Sequence, residues 1–223
     1  MAYLQGFDFC FSNSYREDNN ESSLYAESRT LTKKLLLSHI KSGEFLEISK
    51  ENLMALNALE YVTRTPTLIF RADKARNIRF NESLLYAGED SLFVMNLLIK
   101  MDRFCFNPMS NTLSGRGINM FESNLSRDAP KFYGIQIDRL IAHSIYRDMI
   151  PFKSVLELHT TRYNQLCLDA GFHTLRNFAK KPKFTITNLG RLFKIRKKEF
   201  LRMPIYITWA LWKYCFNRQE IGL

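Results

Sequence analysis

Apolar positions fall in short blocks through the first half of the chain and in longer runs of helical period through the second. Phe7-Asp8-Phe9-Cys10-Phe11 alternates as a β-strand does, with aromatic or apolar residues at four of its five positions. Ser12 to Ser23 is polar and reads as a loop. Leu31 to Lys41 suits a helix. Ser49 is placed to cap a second helix from about Lys50 to Tyr61, with Leu53, Leu56 and Leu59 on overlapping faces. Thr65-Pro66 breaks the pattern, and Thr67-Leu68-Ile69-Phe70-Arg71 reads as a short buried strand. Asp73 to Asn77 makes one helical turn. The apolar run Leu92 to Met101 predicts a buried helix, and Arg103-Phe104-Cys105-Phe106 another strand.

From Ala129 onward the pattern is helical. Ile137, Leu140, Ile141, Ile145 and Met149 repeat at helical spacing. Pro151 restarts a helix through Ala170, and Gly171 is expected to end it. One or two further helices follow. The expected fold class is therefore α/β: a partial mixed sheet flanked by helices over residues 1–121, then a helical, basic C-terminal extension over residues 122–223. The front half has one departure from the usual plan. Mixed nucleotide-binding domains open on βαβ units with a crevice at the carboxyl ends of parallel strands. This chain opens on a single strand with no such unit before it.

Charge changes the picture of the rear half. The 223 residues carry a net charge of +10, which points to an anionic partner surface. Between residues 176 and 202 there are ten cations, Arg176, Lys180, Lys181, Lys183, Arg191, Lys194, Arg196, Lys197, Lys198 and Arg202, against one acid, Glu199. The hydrophobic content of 46% and charged content of 24% are those of an ordinary globular protein. Cys10, Cys105, Cys167 and Cys215 form no CxxC pair, so neither a zinc site nor a disulfide framework is suggested. Free thiols in a reducing cytosol are the expectation. His39, His143, His159 and His173 are scattered without metal-ligand spacing. The N-terminus lacks the basic flank and apolar core of a signal peptide. The longest apolar stretch, Met203 to Phe216, is too short to span a bilayer and is interrupted by Pro204, Thr208 and Lys213.

The candidate chemistry is concentrated at Gly88-Glu89-Asp90. Two adjacent carboxylates follow a glycine and open the apolar helix. Unpaired backbone N–H groups and the positive end of the helix dipole favour an ionised carboxylate there. A charged carboxylate beside a mobile glycine can take a proton from an incoming hydroxyl. The same pattern also describes a helix cap.

Residues 61–121 resemble family 2 glycosyltransferases, inverting enzymes of the GT-A fold, in several ordered pieces. Thr65-Pro66-Thr67-Leu68-Ile69-Phe70-Arg71 is similar to the strand ending in arginine below the acceptor site. Ile78-Arg79-Phe80-Asn81-Glu82 is similar to the approach to the family's Glu-Asp motif, which Gly88-Glu89-Asp90 matches. Ser114-Gly115-Arg116-Gly117-Ile118-Asn119 resembles a glycine loop of some members. Phe7-Asp8-Phe9 to Asn13 is similar to the strand after the metal-binding segment.

The resemblance implies transfer of a sugar from a nucleotide-sugar donor to a glycan or lipid-linked acceptor hydroxyl. Asp90 would be the general base, and Glu89 would help hold the acceptor or orient the loop. Arg71, Gly88, Arg116 and Asn119 would contact substrate. It also implies a divalent metal, magnesium or manganese, in the full-length enzyme, bound by an Asp-x-Asp motif. This sequence contains no Asp-x-Asp, and Asp8, followed by Phe9 and Cys10, does not stand in for it. The expectation is a fragment lacking about a hundred residues, one mononucleotide-binding half, and inactive alone. The setting implied is polysaccharide or glycolipid synthesis at the bacterial cell envelope, in the cytoplasm or peripheral on the cytoplasmic face of the membrane.

On the residues alone, Arg116 in its glycine loop suits a diphosphate contact or a plain surface turn. Arg71 suits either ordering of the carboxylates or a solvated strand end. The tail from Lys180 to Phe216 interleaves cations with Phe184, Phe193, Phe200, Trp209 and Trp212. Such a segment either lies on an anionic membrane surface or packs its apolar side on the domain. The alternative function is accordingly a non-catalytic module that binds anionic lipid through this tail. Nucleic-acid binding rests on charge alone, with no recognisable motif.

Overall fold

The computed structural model describes residues 6–16, 19–23, 36, 43–114 and 129–216. The fold is mixed α/β, with a five-stranded mixed sheet and a helical C-terminal half. The strands are β1 (Phe9–Arg16), β2 (Asn19–Ser23), β3 (Leu46–Ile48), β4 (Leu68–Phe70) and β5 (Phe104–Ser114). The helices are α1 (Lys50–Glu60), α2 (Ala72–Ala75), α3 (Glu89–Lys100), α4 (Pro130–Met149), α5 (Lys153–Lys180), α6 (Pro182–Ile195) and α7 (Lys197–Phe216). The chain divides into two compact units. The sheet unit comprises Met1–Phe80, Asp90–Asn119 and Met149–His159, and the helical unit Asn81–Glu89, Met120–Asp148 and Thr160–Leu223.

In the sheet unit the strand order is β2-β1-β5-β3, with β4 also paired to β1. β1 lies parallel to β5 with Phe9 opposite Phe104, Cys10 opposite Cys105 and Phe11 opposite Phe106. On its other edge β1 runs antiparallel to β4. Phe9, Cys10 and Phe11 are all buried, as are Phe104, Cys105 and Phe106. A central strand covered on both faces has no solvent side to reserve for polar residues, which explains the near-continuous aromatic run. Helices α1 and α3 supply Leu53, Met54, Leu56, Leu92, Met95, Leu97 and Leu98 to the core of this unit. Ser49 caps α1 by accepting the N–H of Asn52 at 3.2 Å.

Several sequence expectations are corrected. The polar segment Ser12 to Ser23 is not a loop: β1 continues to Arg16 and β2 occupies Asn19–Ser23. Asn13 and Ser14 are buried there because ladder bonds to β5 satisfy their backbone, and the Asn13 side chain accepts the Ser14 N–H at 2.9 Å. β5 runs far beyond Phe106, and the register shifts around Asn13 let it carry Pro108, which has no N–H to give the ladder. β4 is half-exposed rather than buried.

Gly171 does not end a helix. It lies inside α5 where a Cβ would stand 2.5 Å from the backbone of Tyr206, so it permits close approach of α7. Of the helix expected over Leu31 to Lys41, only Leu36 is among the described residues, and it is helical and buried. Cys10, Cys105 and Cys167 are free and buried. His159 and His173 are buried too.

Candidate functional site

Glu89 and Asp90 occupy the first turn of α3, as the apolar run behind them predicts. The Asp90 side chain is half-exposed. Among the described residues its one hydrogen bond is from the neighbouring N–H of Ser91 to Oδ1, at 2.7 Å. A carboxylate in this position receives the field of the helix N-terminus, and most of its acceptor capacity remains available. The Glu89 oxygen Oε2 is shielded from solvent. The two neighbouring acids therefore face different environments.

The approach to this corner is built with few degrees of freedom. Phe80 stacks on Phe93 of α3, ring centroids 4.2 Å apart and nearly parallel. Asn81 turns the chain by accepting the N–H and hydroxyl of Ser83 at 3.0 and 2.6 Å. Residues Asn81–Glu89 then belong to the helical unit, where α4 receives them on one face. Gly134, Asp138 and Ala142 are spaced four apart and form a stripe along that helix. The ring of Tyr86 lies against Gly134, where a Cβ would meet it at 2.6 Å. Asp138 Oδ2 accepts the N–H of Leu85 at 2.7 Å and that of Tyr86 at 2.6 Å. Gly88 sits over Ala142, where a Cβ would meet its methyl at 2.8 Å, and holds φ at +90°. Gly88 is thus fixed by both space and conformation and is not a loose hinge.

Arg191 of α6 completes this arrangement. Its guanidinium bonds Asp138 Oδ1 at 2.7 Å, the carbonyl of Ser83 at 2.9 Å and Asn188 at 3.0 Å. It also lies over the Tyr86 ring, 5.5 Å from the centroid. Asp138 is fully buried, and each of its oxygens has a donor. Neither residue was singled out in the sequence. The available signal was Asp138 beside Ile137 and one turn before Ile141 on the apolar spacing of this helix, since an unpartnered buried charge is too costly to tolerate.

Arg71 stands at the end of β4 and makes a forked pair with Asp73, at 3.2 and 2.8 Å, with Asp8 4.0 Å away. Its hydrogen bonds among the described residues go to Asp73 and not to Glu89 or Asp90. Its pKa is raised, chiefly by the bond to Asp73. Asp8 is itself buried. It accepts Lys74 Nζ at 2.7 Å and the N–H groups of Asp102 and Arg103 at 3.0 and 3.3 Å. Burial opposes its charge, but the Lys74 bond and the two backbone donors outweigh that and hold its carboxyl below the usual value. This arrangement ties the turn after α3 to the start of β1, a structural task. Arg116 and Asn119, with the rest of the glycine loop, lie outside the described residues.

No three His, Cys, Asp or Glu side chains gather as a metal site among the described residues. Glu89 and Asp90 by themselves do not make up the ligand set that the resemblance assigns to magnesium or manganese, so no step is derived through a metal. Nor, among the described residues, is any helix long and apolar enough to cross a membrane. No protein-family model matches the chain, and no curated protein matches it.

Proposed function

We propose that this chain is the acceptor-side part of an inverting family 2 glycosyltransferase of GT-A type, acting in bacterial cell-surface polysaccharide or glycolipid synthesis at the cytoplasmic face of the membrane. The observation that carries the reading is the Asp90 carboxylate. It lies in the first turn of α3, half-exposed, bonded among the described residues only to the next N–H of its own helix. The segment before it is held by Asp138 and Arg191.

In this reading an acceptor hydroxyl donates a hydrogen bond to Asp90. The carboxylate takes that proton as the oxygen attacks the donor's anomeric carbon and the nucleoside diphosphate departs from the opposite side, which inverts the configuration. Glu89, the neighbour of Asp90 in the chain, helps hold the acceptor. The donor is held by a nucleotide-binding half that this sequence does not contain.

The test is release of nucleoside diphosphate from a panel of nucleotide sugars, in a protein that carries such a half together with this chain. Asp90→Asn should lower turnover about 10²- to 10⁴-fold, the usual contribution of a positioned base, with donor affinity unchanged. Turnover equal to that of the unaltered protein removes Asp90 from the mechanism. Failure to bind any nucleotide sugar favours the non-catalytic reading.

A further inference from the structure

Helix α7 has two apolar faces, and one of them is exposed. Glu199, Met203, Tyr206 and Ala210 point inward and are buried. Leu201, Pro204, Ile205, Thr208, Leu211 and Trp212 alternate at three- and four-residue steps along the opposite side, and all are exposed. Leu201 is 63% exposed, Ile205 65% and Trp212 57%. Phe193 and Ile186 of α6 add exposed apolar surface in the same unit. A single exposed leucine needs no explanation, but a continuous apolar stripe does.

Charge identifies what covers it. Three arginines of this region are paired with acids: Arg191 with the buried Asp138, Arg196 with the exposed Asp148, and the half-exposed Arg202 with the buried Glu199. The lysines turn outward: Lys180, Lys181, Lys183, Lys194, Lys197 and Lys198 are all exposed. Between residues 180 and 213 the one acid is Glu199, and it is buried, accepting the Tyr206 hydroxyl at 2.5 Å. The outward surface of this segment therefore carries mainly lysines, with the half-exposed Arg202, and no carboxylate of its own. Lys197 and Lys198 fall on the same side of α7 as Leu201 and Ile205, one turn before the first and two before the second. Lys197 also lies 5.6 Å over the Phe193 ring.

We propose that the outer face of α7, with the lysines at the α6–α7 junction, docks on an anionic lipid bilayer. Leu201, Ile205 and Trp212 enter the level between headgroups and acyl chains, and Lys194, Lys197 and Lys198 meet lipid phosphates. An apolar stripe bordered by lysine, with tryptophan at its end, is the composition of a helix lying in the membrane interface. A protein partner would instead call for carboxylates or neutral hydrogen-bonding groups around an apolar centre. The assignment is independent of sugar transfer, so its failure leaves the role of Asp90 untouched.

The experiment uses the 223-residue chain and vesicles of phosphatidylcholine alone or with 30% phosphatidylglycerol, the mixture being roughly that of an anionic leaflet. Sedimentation should recover the protein with anionic vesicles and not with neutral ones. Raising the salt towards 1 M, where the screening length falls to about 3 Å, should weaken the binding strongly. Lys197→Glu with Lys198→Glu should weaken it more than about 25-fold, roughly fivefold for each lysine lost. Leu201→Ser with Ile205→Ser should weaken it about tenfold or more. In a Trp209→Phe background, Trp212 fluorescence should shift to the blue and be quenched by lipids labelled in the upper acyl chain.

Circular dichroism of each variant should be unchanged, since all of the altered side chains in this face are solvent-exposed. Equal recovery with both vesicle types, or none with either, overturns the proposal. So does a chain that self-associates through this face, with Leu201→Ser and Ile205→Ser dissolving the oligomer while vesicle recovery stays the same.

Discussion

Asp8 of the sheet unit and Asp138 of the helical unit are built from the same parts. Each is a buried carboxylate, each accepts two successive backbone N–H groups, and each is hydrogen-bonded by one cation, with Arg71 standing 4.0 Å from Asp8 as a second. The cations differ. Lys74 reaches Asp8 from a partly exposed position and is a point charge. Arg191 is mostly enclosed and uses its planar fork on Asp138, the Ser83 carbonyl and Asn188 together, over the face of Tyr86. Water can replace what Lys74 gives Asp8. Little can replace what Arg191 gives Asp138. Asp90 stands apart from both, with one neighbouring N–H as its hydrogen-bond donor among the described residues. The two buried acids each gather three donors and hold structure, whereas Asp90, with one, is the acid to which the proposed function gives a role.

The strongest challenge to this comparison is Asp138→Ala. It leaves Arg191 enclosed without its anion and strands the N–H groups of Leu85 and Tyr86. A loss of about 3–5 kcal/mol is expected, read as a lowered urea midpoint. A loss below 1 kcal/mol, less than a typical exposed pair contributes at most, would mean the segment is held by packing instead. Gly88→Ala comes next. Its Cβ would meet the Ala142 methyl at 2.8 Å in a backbone region that suits glycine, so about 1–3 kcal/mol should be lost.

Asp8→Asn should cost less, and its effect should depend on pH. The folded carboxyl titrates below its ordinary value of 3.8. Its contribution is therefore fully present above that value and is lost as pH falls through the lower folded value. Denaturation curves of the variant and the unaltered protein should differ at pH 6 and draw together in acid. A difference that widened in acid would reverse the sign assigned to Asp8. The smallest effect is expected for Asp90→Asn, within about 0.5 kcal/mol, as for a surface change. A large stability loss there would make Asp90 a cap, not an available base.

Legibility in the sequence followed the range of the interaction that decides each feature. The first turn of α3 was readable because a carboxylate pair before an apolar run is a local pattern. So was the cap at Ser49. β2 and the outer half of β1 were not, since their polar residues are strand only because β5 supplies the ladder to β1 and β1 supplies it to β2. Gly171 was misread for a similar reason: a glycine after an apolar run marks a helix end locally, but here its missing Cβ admits the backbone of Tyr206.

By itself the sequence determined the alternation of the chain between short central strands and long rear helices, the place of Glu89 and Asp90 at a helix start, and the surplus of cations after residue 176. Those features depend on residues within a turn or two of one another. Only the tertiary structure decided that Gly134, Asp138 and Ala142 receive the segment before Asp90, that Arg191 closes over it, and that Arg191, Arg196 and Arg202 pair with acids while most of the tail's lysines and one apolar face of α7 turn out. Most of these join residues tens of positions apart. Such pairings depend on how the helices pack, because the cost of leaving a charge or a backbone N–H buried alone is settled only when the chain has closed around it.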